Sequence, residues 1–427
     1  MDSYYIWTIG CQMNVADSQR LGSALEQLGL HSVPNPDTAD VIVLNSCVVR
    51  QSAEDKVVGN LTSMKPLKSK NPERILALMG CKVGDKTSEL AKQFPYVDVF
   101  MKPQQYAPLL DLIGDRNQVD WEGCIGSLAP YAPDITCHVP IIHGCDLMCS
   151  FCIIPYRRGR QISRPIEEII REVELLVQRG TKEVTVLGQT VDAYGLDLPN
   201  QPDLSDLLIQ LNEIDGLSRI RFLTSHPSYM SDKIIGAVSE LTKVCEHINL
   251  PVQAGDDAVL ERMRRPYTQN DYKELVYKIR DNIPGVSVST DMIVGFPGET
   301  EAQYQSSLDL ITELKFDKIH TAAYSPRPGT ISFRTMDDDV PQEEKNRRLK
   351  HMDILQEEIL TEINRSLVGE KVEVLVEGRK RGKLHGRTRT DKLVFIEESP
   401  VCVGSLQEVL IEKASPWSLQ GSKPSTS

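Results

Sequence analysis

The chain has 427 residues, a net charge of −12, 40% hydrophobic and 25% charged residues, the profile of a globular protein with room for two or three domains. No apolar run approaches the roughly 18 residues needed to span a bilayer, and the opening "MDSYYIWTIG" lacks the basic and apolar regions of a signal peptide, so a cytoplasmic protein without membrane attachment is expected. In that compartment the ten cysteines are expected as thiols or metal ligands rather than disulfides, and the acidic balance disfavours a nucleic-acid partner unless a basic patch is hidden within it.

The first hundred residues alternate between two patterns. "SYYIWTIG" (Ser3–Gly10), "ADVIVLNS" (Ala39–Ser46), "RILALMG" (Arg74–Gly80) and "VDVFMK" (Val97–Lys102) read as strands, and "ADSQRLGSALEQLG" (Ala16–Gly29) reads as a helix. Strands alternating with helices imply an α/β, doubly wound parallel sheet, here over residues 1–115. Cys11, Cys47 and Cys81 each follow one of these strands. Ligands of open α/β sheets sit outside the carboxyl ends of the strands, so three thiols far apart in sequence are expected to converge on a metal. The alternative is three unrelated cysteines buried as small hydrophobes.

Glycine, proline and polar residues over 116–136 read as a linker, with Cys124 inside it and Cys137 just beyond it. Six strand–helix units follow over 137–366. Their strands are His138–Gly144, Lys182–Gly188, Arg219–Ser225, His247–Val252, Val286–Phe296 and Lys318–Ser325. Six units predict a partial (β/α)6 barrel, open on one side. A long charged helix over Gln342–Ser366 closes this region. Short alternating segments over 367–420 predict a small all-β barrel, and 421–427 read as a disordered tail.

"HGCDLMCSFCIIPYRRGR" (His143–Arg160) places Cys145, Cys149 and Cys152 at the end of the first barrel strand. Four thiolates hold a conventional cubane cluster, one per iron. Three leave one iron open to another ligand. The alternative is a zinc site completed by His143 or Asp146.

With this motif the chain resembles the radical S-adenosylmethionine enzymes, in which the open iron takes S-adenosylmethionine and the aromatic residue before the last cysteine, here Phe151, lies near the adenine. The resemblance narrows with "GCQMNVADS", "NSCVVRQSAEDK" and the Gly80–Cys81 pair near the N-terminus, and with "RGRQISRP", "VLGQTVDAYG", "RFLTSHP", "LPVQAGDDAVLERMRRPYT", "DMIVGFPGET" and "YSPRPGT" in the barrel. These look like the tRNA methylthiotransferases, and the tail resembles their RNA-binding TRAM domain. Glutamine and methionine after Cys11 resemble the branch acting on N6-isopentenyladenosine, giving the 2-methylthio derivative in the anticodon loop. Related branches act on threonylcarbamoyladenosine or a ribosomal-protein aspartate, and a rival of another class is a non-enzymatic iron–sulfur redox sensor that binds RNA. The resemblance implies two [4Fe–4S] clusters, the second on Cys11, Cys47 and Cys81, and two molecules of S-adenosylmethionine per product. It also implies an electron donor such as flavodoxin or ferredoxin, a sulfur source or iron–sulfur carrier, and a monomer.

Polar residues at strand ends on the open face of the barrel are candidates to hold the cofactor or the base: Gly188, Gln189, Ser225, His226, Gln253, Asp291 and Tyr324. Two basic groups are candidates for RNA phosphates. One is Arg157, Arg158, Arg160 and Arg164, which follow Cys152 without an intervening acid. The other is Arg379, Lys380, Arg381, Lys383, Arg387, Arg389 and Lys392, which face only Asp391. Binding through such patches weakens steeply with salt.

Overall fold

The structure, a computed structural model, describes residues 1–48, 51–84, 87–118, 133–380, 382–397 and 402–424. The chain begins with β1 (Ser3–Thr8), α1 (Gln12–Gln27), β2 (His31–Ser32), β3 (Val41–Ser46), α2 (Gln51–Lys70), β4 (Ile75–Gly80), α3 (Thr87–Gln93), β5 (Val99–Met101) and α4 (Ala107–Asn117). The strands form one parallel sheet in the order β2-β1-β3-β4-β5. Apolar residues on both faces of β3 and β4 are buried, as a sheet covered on both sides requires. Strand β2 has two exposed residues and no alternating pattern, so periodicity could not find it. Arg116 and Asn117, expected in the linker, complete α4. The rest of that segment, including Cys124, lies largely outside the described residues.

The second region runs β6 (Thr136–Pro140), β7 (Ile142–His143), α5 (Ile154–Arg158), β8 (Ile162–Ser163), α6 (Ile166–Gln178), β9 (Glu183–Leu187), α7 (Leu204–Asn212), β10 (Arg219–Phe222) and α8 (Asp232–Glu240). It continues through β11 (His247–Asn249), α9 (Asp257–Arg262), α10 (Gln269–Asn282), β12 (Ser287–Val294), α11 (Glu301–Leu314), β13 (Lys318–Ala323), α12 (Ile331–Thr335) and α13 (Gln342–Arg365). Strands β6, β9 and β10 form one parallel sheet and β11, β12 and β13 another. A parallel bridge from Ile220 to Val244 links them into a six-strand arc, the partial barrel expected. Its helices carry the signals that fix their ends: Thr268 and Thr300 each close a capping box at the start of α10 and α11.

The chain ends in β14 (Lys371–Lys380), β15 (Lys383–Thr388), β16 (Leu393–Ile396), β17 (Leu406–Ala414) and β18 (Leu419–Ser422), a closed barrel in the order β14-β15-β16-β18-β17. Gly421 and Ser422, expected in the tail, belong to β18, where Gly421 pairs with Ile396 and Ser422 with Leu410. Closure needs that strand, since without it β16 and β17 would each present an open edge.

The small barrel docks under the large one at the starts of its strands. Arg219, fully buried, donates to the Arg387 carbonyl at 2.7 Å and to Glu373 at 2.9 Å. Arg221 pairs with Glu183 at 2.9 Å and donates to the Thr388 and Arg389 carbonyls at 2.6 and 2.7 Å. From the other side Arg389 reaches Glu246 at 2.7 Å and the Val244 carbonyl at 2.6 Å, and Lys392 reaches Asp317 at 3.0 Å.

Candidate active site

The three N-terminal cysteines lie on loops joined by one polar knot. Asn14, fully buried, donates to the Ile9 carbonyl at 3.2 Å, to Asn45 Oδ1 at 3.3 Å and to the Ser46 carbonyl at 2.9 Å. Asn45 donates back to the Asn14 carbonyl at 2.7 Å. The Cys81 amide donates to the Ser46 carbonyl at 2.9 Å. The turns before Cys11 and Cys81 need glycine. Gly10 has φ +138 and Gly80 φ +100, and a Cβ on Gly80 would stand 2.8 Å from the Ser46 amide nitrogen. Burial pushes the Cys81 thiol up to about 11, with Cys47 and Cys11 adding to the rise and Arg158 opposing it.

The barrel thiols stand below. A cavity of about 270 Å³ is lined by Cys145, Cys149 and Cys152 together with Cys11, Gln12 and Met13 of the N-terminal sheet domain. Cys81 packs with Val48 against Ile153, the residue after Cys152. Cys11 therefore shares the cavity at the mouth of the barrel with Cys145, Cys149 and Cys152, and Cys81 packs beside the residue that follows them. Burial pushes Cys152 up to about 12, reinforced by Cys149 and Cys145, and burial likewise raises Cys145. Such thiols become stable thiolates only against positive charge, which iron supplies. Among the described residues no three His, Cys, Asp or Glu side chains converge tightly enough to hold a single metal ion. A cubane asks for less convergence, because each thiolate binds its own iron.

Of the expected cofactor residues, Phe151, Gly188, Gln189, Ser225 and Gln253 line this cavity, and so does His226. Gln189 Oε1, Ser225 Oγ and His226 Nε2 are buried without a hydrogen-bond partner, which fits a polar ligand. Gln253 and Thr224, both lining, hold φ of +77 and +69, a strained backbone that clusters at functional sites. Burial and then Arg265 hold His226 down to about 3, so its imidazole is neutral.

Asp291 and Tyr324 do not line the cavity. The Asp291 carbonyl accepts from the Gln253 amide at 2.9 Å, and Tyr324 packs on Phe296 and donates to Ser332 at 3.0 Å. They support the site from behind, because the strand-end rule does not say which way a side chain turns.

Four residues escaped sequence reasoning. Arg265 donates to Cys149 Sγ at 3.4 Å, to the Pro251 carbonyl at 2.8 Å and to Tyr267 at 2.6 Å. Asp192 accepts the His226 amide at 2.7 Å and is pushed by burial up to about 8. Asn14 and its neighbour Asp17 carried a signal in the sequence, as polar residues on the apolar face of α1.

The basic groups divide in a way composition could not show. Arg158 has a 1% exposed side chain and pairs at 3.0 Å with Asp17, whose side chain is fully buried. Arg164 and Arg20 both pair with Glu172, at 2.6 and 2.8 Å. Arg157 lies against Gly84, its Nε buried. Arg158 joins the sheet domain to the barrel and Arg164 lines their seam, and both are corrected from RNA contacts to interdomain contacts; Arg157 is half-buried at the same seam. Arg160 is the exposed member, paired with Asp146. Likewise Arg389 and Lys392 tie the two barrels together, and Arg387 pairs with Asp391 at 3.2 Å. Arg379, Lys380 and Lys383 are exposed at the β14–β15 turn, and Arg381 lies outside the described residues. Cys137 and Cys245 are buried and do not line the cavity, and Cys402 is exposed.

Comparison with known proteins agrees with this geometry. Residues 139–311 match the radical SAM superfamily, 3–102 an uncharacterized protein family known as UPF0004, and 365–423 the TRAM domain. The chain is 48% identical to the tRNA-2-methylthio-N(6)-dimethylallyladenosine synthase of Dehalococcoides mccartyi over 98% of both chains. It is 47% identical to that of a Roseiflexus species over 98% of this chain and 89% of the relative, and 46% identical to that of Chloroflexus aurantiacus over 98% and 91%. The chain belongs to this synthase family. It is a radical S-adenosylmethionine methylthiotransferase, built on a barrel whose fold recurs in distant enzymes. The radical SAM methyltransferase TsrM from Kitasatospora setae superposes with a TM-score of 0.57 at 14% identity, covering 78% of this chain and 77% of that one. The cobalamin-dependent enzyme OxsB superposes at 0.53 and 12%, covering 83% and 56%. Among the described residues no helix is long and apolar enough to cross a membrane.

Proposed function

We propose that this enzyme inserts a methylthio group at carbon 2 of the adenine of N6-isopentenyladenosine in the tRNA anticodon loop. The observation that carries the reading is the shared cavity, where Cys11 from the sheet domain lines the same space as Cys145, Cys149 and Cys152. When bound, a cluster on the barrel cysteines with S-adenosylmethionine supplies the radical, and a second cluster on Cys11, Cys47 and Cys81 supplies the sulfur. Two molecules of S-adenosylmethionine are used per product, one for the methyl group and one for the radical. An electron donor of flavodoxin or ferredoxin type and a sulfur source complete the system in the cytoplasm, with the enzyme acting as a monomer.

The residues of the chain then have definite tasks. Gln189, Ser225 and Gln253 offer hydrogen bonds to the polar parts of cofactor and base. His226 Nδ1 accepts the Ser228 amide at 3.2 Å, so the neutral ring carries its proton on Nε2 and donates there. Arg265 holds Cys149 against the Pro251 turn and keeps positive charge beside a thiolate. The roof formed by Gln12 and Met13 excludes water from a radical reaction. Arg379, Lys380, Lys383 and Arg160 are the cations available to phosphates, and the base reaches the cavity only if it is splayed from its stack.

Reconstituted enzyme should hold close to eight irons, two cubanes of four. Replacing Cys11, Cys47 and Cys81 with alanine should leave about four and preserve 5′-deoxyadenosine release while abolishing methylthio product in tRNA. Methylthioadenosine made by that variant would overturn the reading. Nucleoside analysis of tRNA from a deletion strain identifies the modified base directly.

A further inference from the structure

Arg158 sits on α5 of the barrel, six positions after Cys152, yet its side chain ends inside the N-terminal domain. Its Nη2 donates to Asn14 Oδ1 and to Asp17 Oδ2, both at 3.0 Å. Asn14 Oδ1 also accepts from the Cys11 thiol at 3.6 Å. Arg158 Nε and Nη1 are buried and find no oxygen acceptor, and the guanidinium's remaining hydrogen-bonding partner is the Cys81 thiol. After Asp17, the groups with which Arg158 interacts most strongly through charge are the Cys81 and Cys11 thiols. A permanent cation, buried and short of acceptors, thus faces the thiols of the other domain. Ordinary stitching of two domains would need the Asp17 pair alone. The donors left over by Asp17 and Asn14 face Cys81, and thiolates carrying a cluster would supply the negative charge they lack.

We propose that Arg158 is a positioning residue for the N-terminal cluster, through which the barrel sets that cluster's charge balance and reduction potential. The inference rests on the assignment of a cluster to Cys11, Cys47 and Cys81. The sign follows from electrostatics. Reduction adds one negative charge to the cluster, and a cation nearby favours it. Asp17, paired with the same guanidinium, opposes this and tempers the cation. Arg158 and Asp17 therefore form a matched pair whose two members pull the potential in opposite directions.

The test uses the full chain carrying Cys145→Ala, Cys149→Ala and Cys152→Ala, so that the N-terminal cluster alone is titrated against dithionite and followed by electron paramagnetic resonance. About four irons per chain are expected in this background. Their absence would sink the cluster assignment itself, separately from the role of Arg158. Arg158→Met should lower the midpoint potential, with the reduction equilibrium about tenfold less favourable, about 59 mV for one electron. Asp17→Asn, which keeps an acceptor for Arg158, should raise it. Arg158→Lys should lie between wild type and Arg158→Met. A fall in Arg158→Met together with a rise in Asp17→Asn supports the proposal, and the reverse pair of shifts overturns it. Unchanged potentials, or shifts of the same sign in both, overturn it and leave Arg158 as a domain fastener only. If Arg158→Met fails to hold iron, Asp17→Asn decides alone: a rise supports the proposal, and no change or a fall overturns it.

Discussion

The division of the C-terminal cations makes a prediction that sequence composition would get wrong. Arg379, Lys380 and Lys383 are exposed at the β14–β15 turn. Arg389 is already bound to Glu246 and to the Thr242 and Val244 carbonyls, and Lys392 to Asp317. Each phosphate contact contributes roughly 0.7–0.9 to the slope of log affinity against log salt, so replacing the three exposed cations with alanine should flatten the slope by roughly 2–3. Between 50 and 200 mM salt, wild-type affinity should then fall roughly twenty- to fortyfold more than that of the variant. Arg389→Ala should leave the slope intact. It should instead loosen the docking of the small barrel, since charged hydrogen bonds each contribute about 1.5–3 kcal/mol when intact, a figure to be discounted here because the side chain is 24% exposed. Filter binding of unmodified tRNA across a salt series measures the slopes, and hydrogen exchange in β10 and β14 reports the docking. A slope flattened by Arg389→Ala and untouched by the triple variant would refute this division.

Three further outcomes follow. Gly80→Ala should halve the iron content of reconstituted enzyme without unfolding the barrel, because its Cβ would press on the backbone of Ser46; full iron retention would show that the turn tolerates a side chain. Burial alone would raise the Glu172 carboxyl, but Arg20 and Arg164 together hold it below its ordinary range, so its stabilising contribution is complete above the usual glutamate pKa of about 4.3 and is lost as pH falls through the folded value; exchange protection in α1 and α6 should drop at acid pH in wild type, and Glu172→Gln should lose that protection already at neutral pH. Arg265→Leu should slow cleavage of S-adenosylmethionine while leaving the N-terminal iron in place, measured as 5′-deoxyadenosine released in the absence of RNA, and an unchanged rate would remove Arg265 from the site.

Much of this was legible before the structure. The alternation of strands and helices gave the parallel sheet and the six-unit arc, since each pattern follows the period of its element. Cys11, Cys145, Cys149 and Cys152, which line one cavity, stood out because spacing and strand-end position are local properties. The fate of the arginines was not legible. Arg158 and Arg164 look like Arg160 in sequence, and only the partners brought by folding, Asp17 and Glu172, separate a buried clasp from an exposed cation. Asp291 and Tyr324 were misplaced for a related reason: a strand end fixes where a residue sits and leaves open whether it faces the cavity or the layer behind.

The docking of the small barrel also bears on how the protein is made. Glu183, Arg219, Arg221 and His247 stand at or near the starts of strands in the arc, and Arg219, Arg221 and Lys392 clasp across that end to residues between Glu373 and Lys392 or back from them. Chains emerge from the ribosome N-terminus first, so the sheet domain and all six strands are synthesised while the floor of the arc is still open to water. Closure waits for β14 to β18, and the last of these, β18, ends at Ser422. The catalytic barrel is therefore completed by the last strands of the described chain to be synthesised, and a nascent chain halted before β14 would carry its thiols with the base of its barrel unsealed.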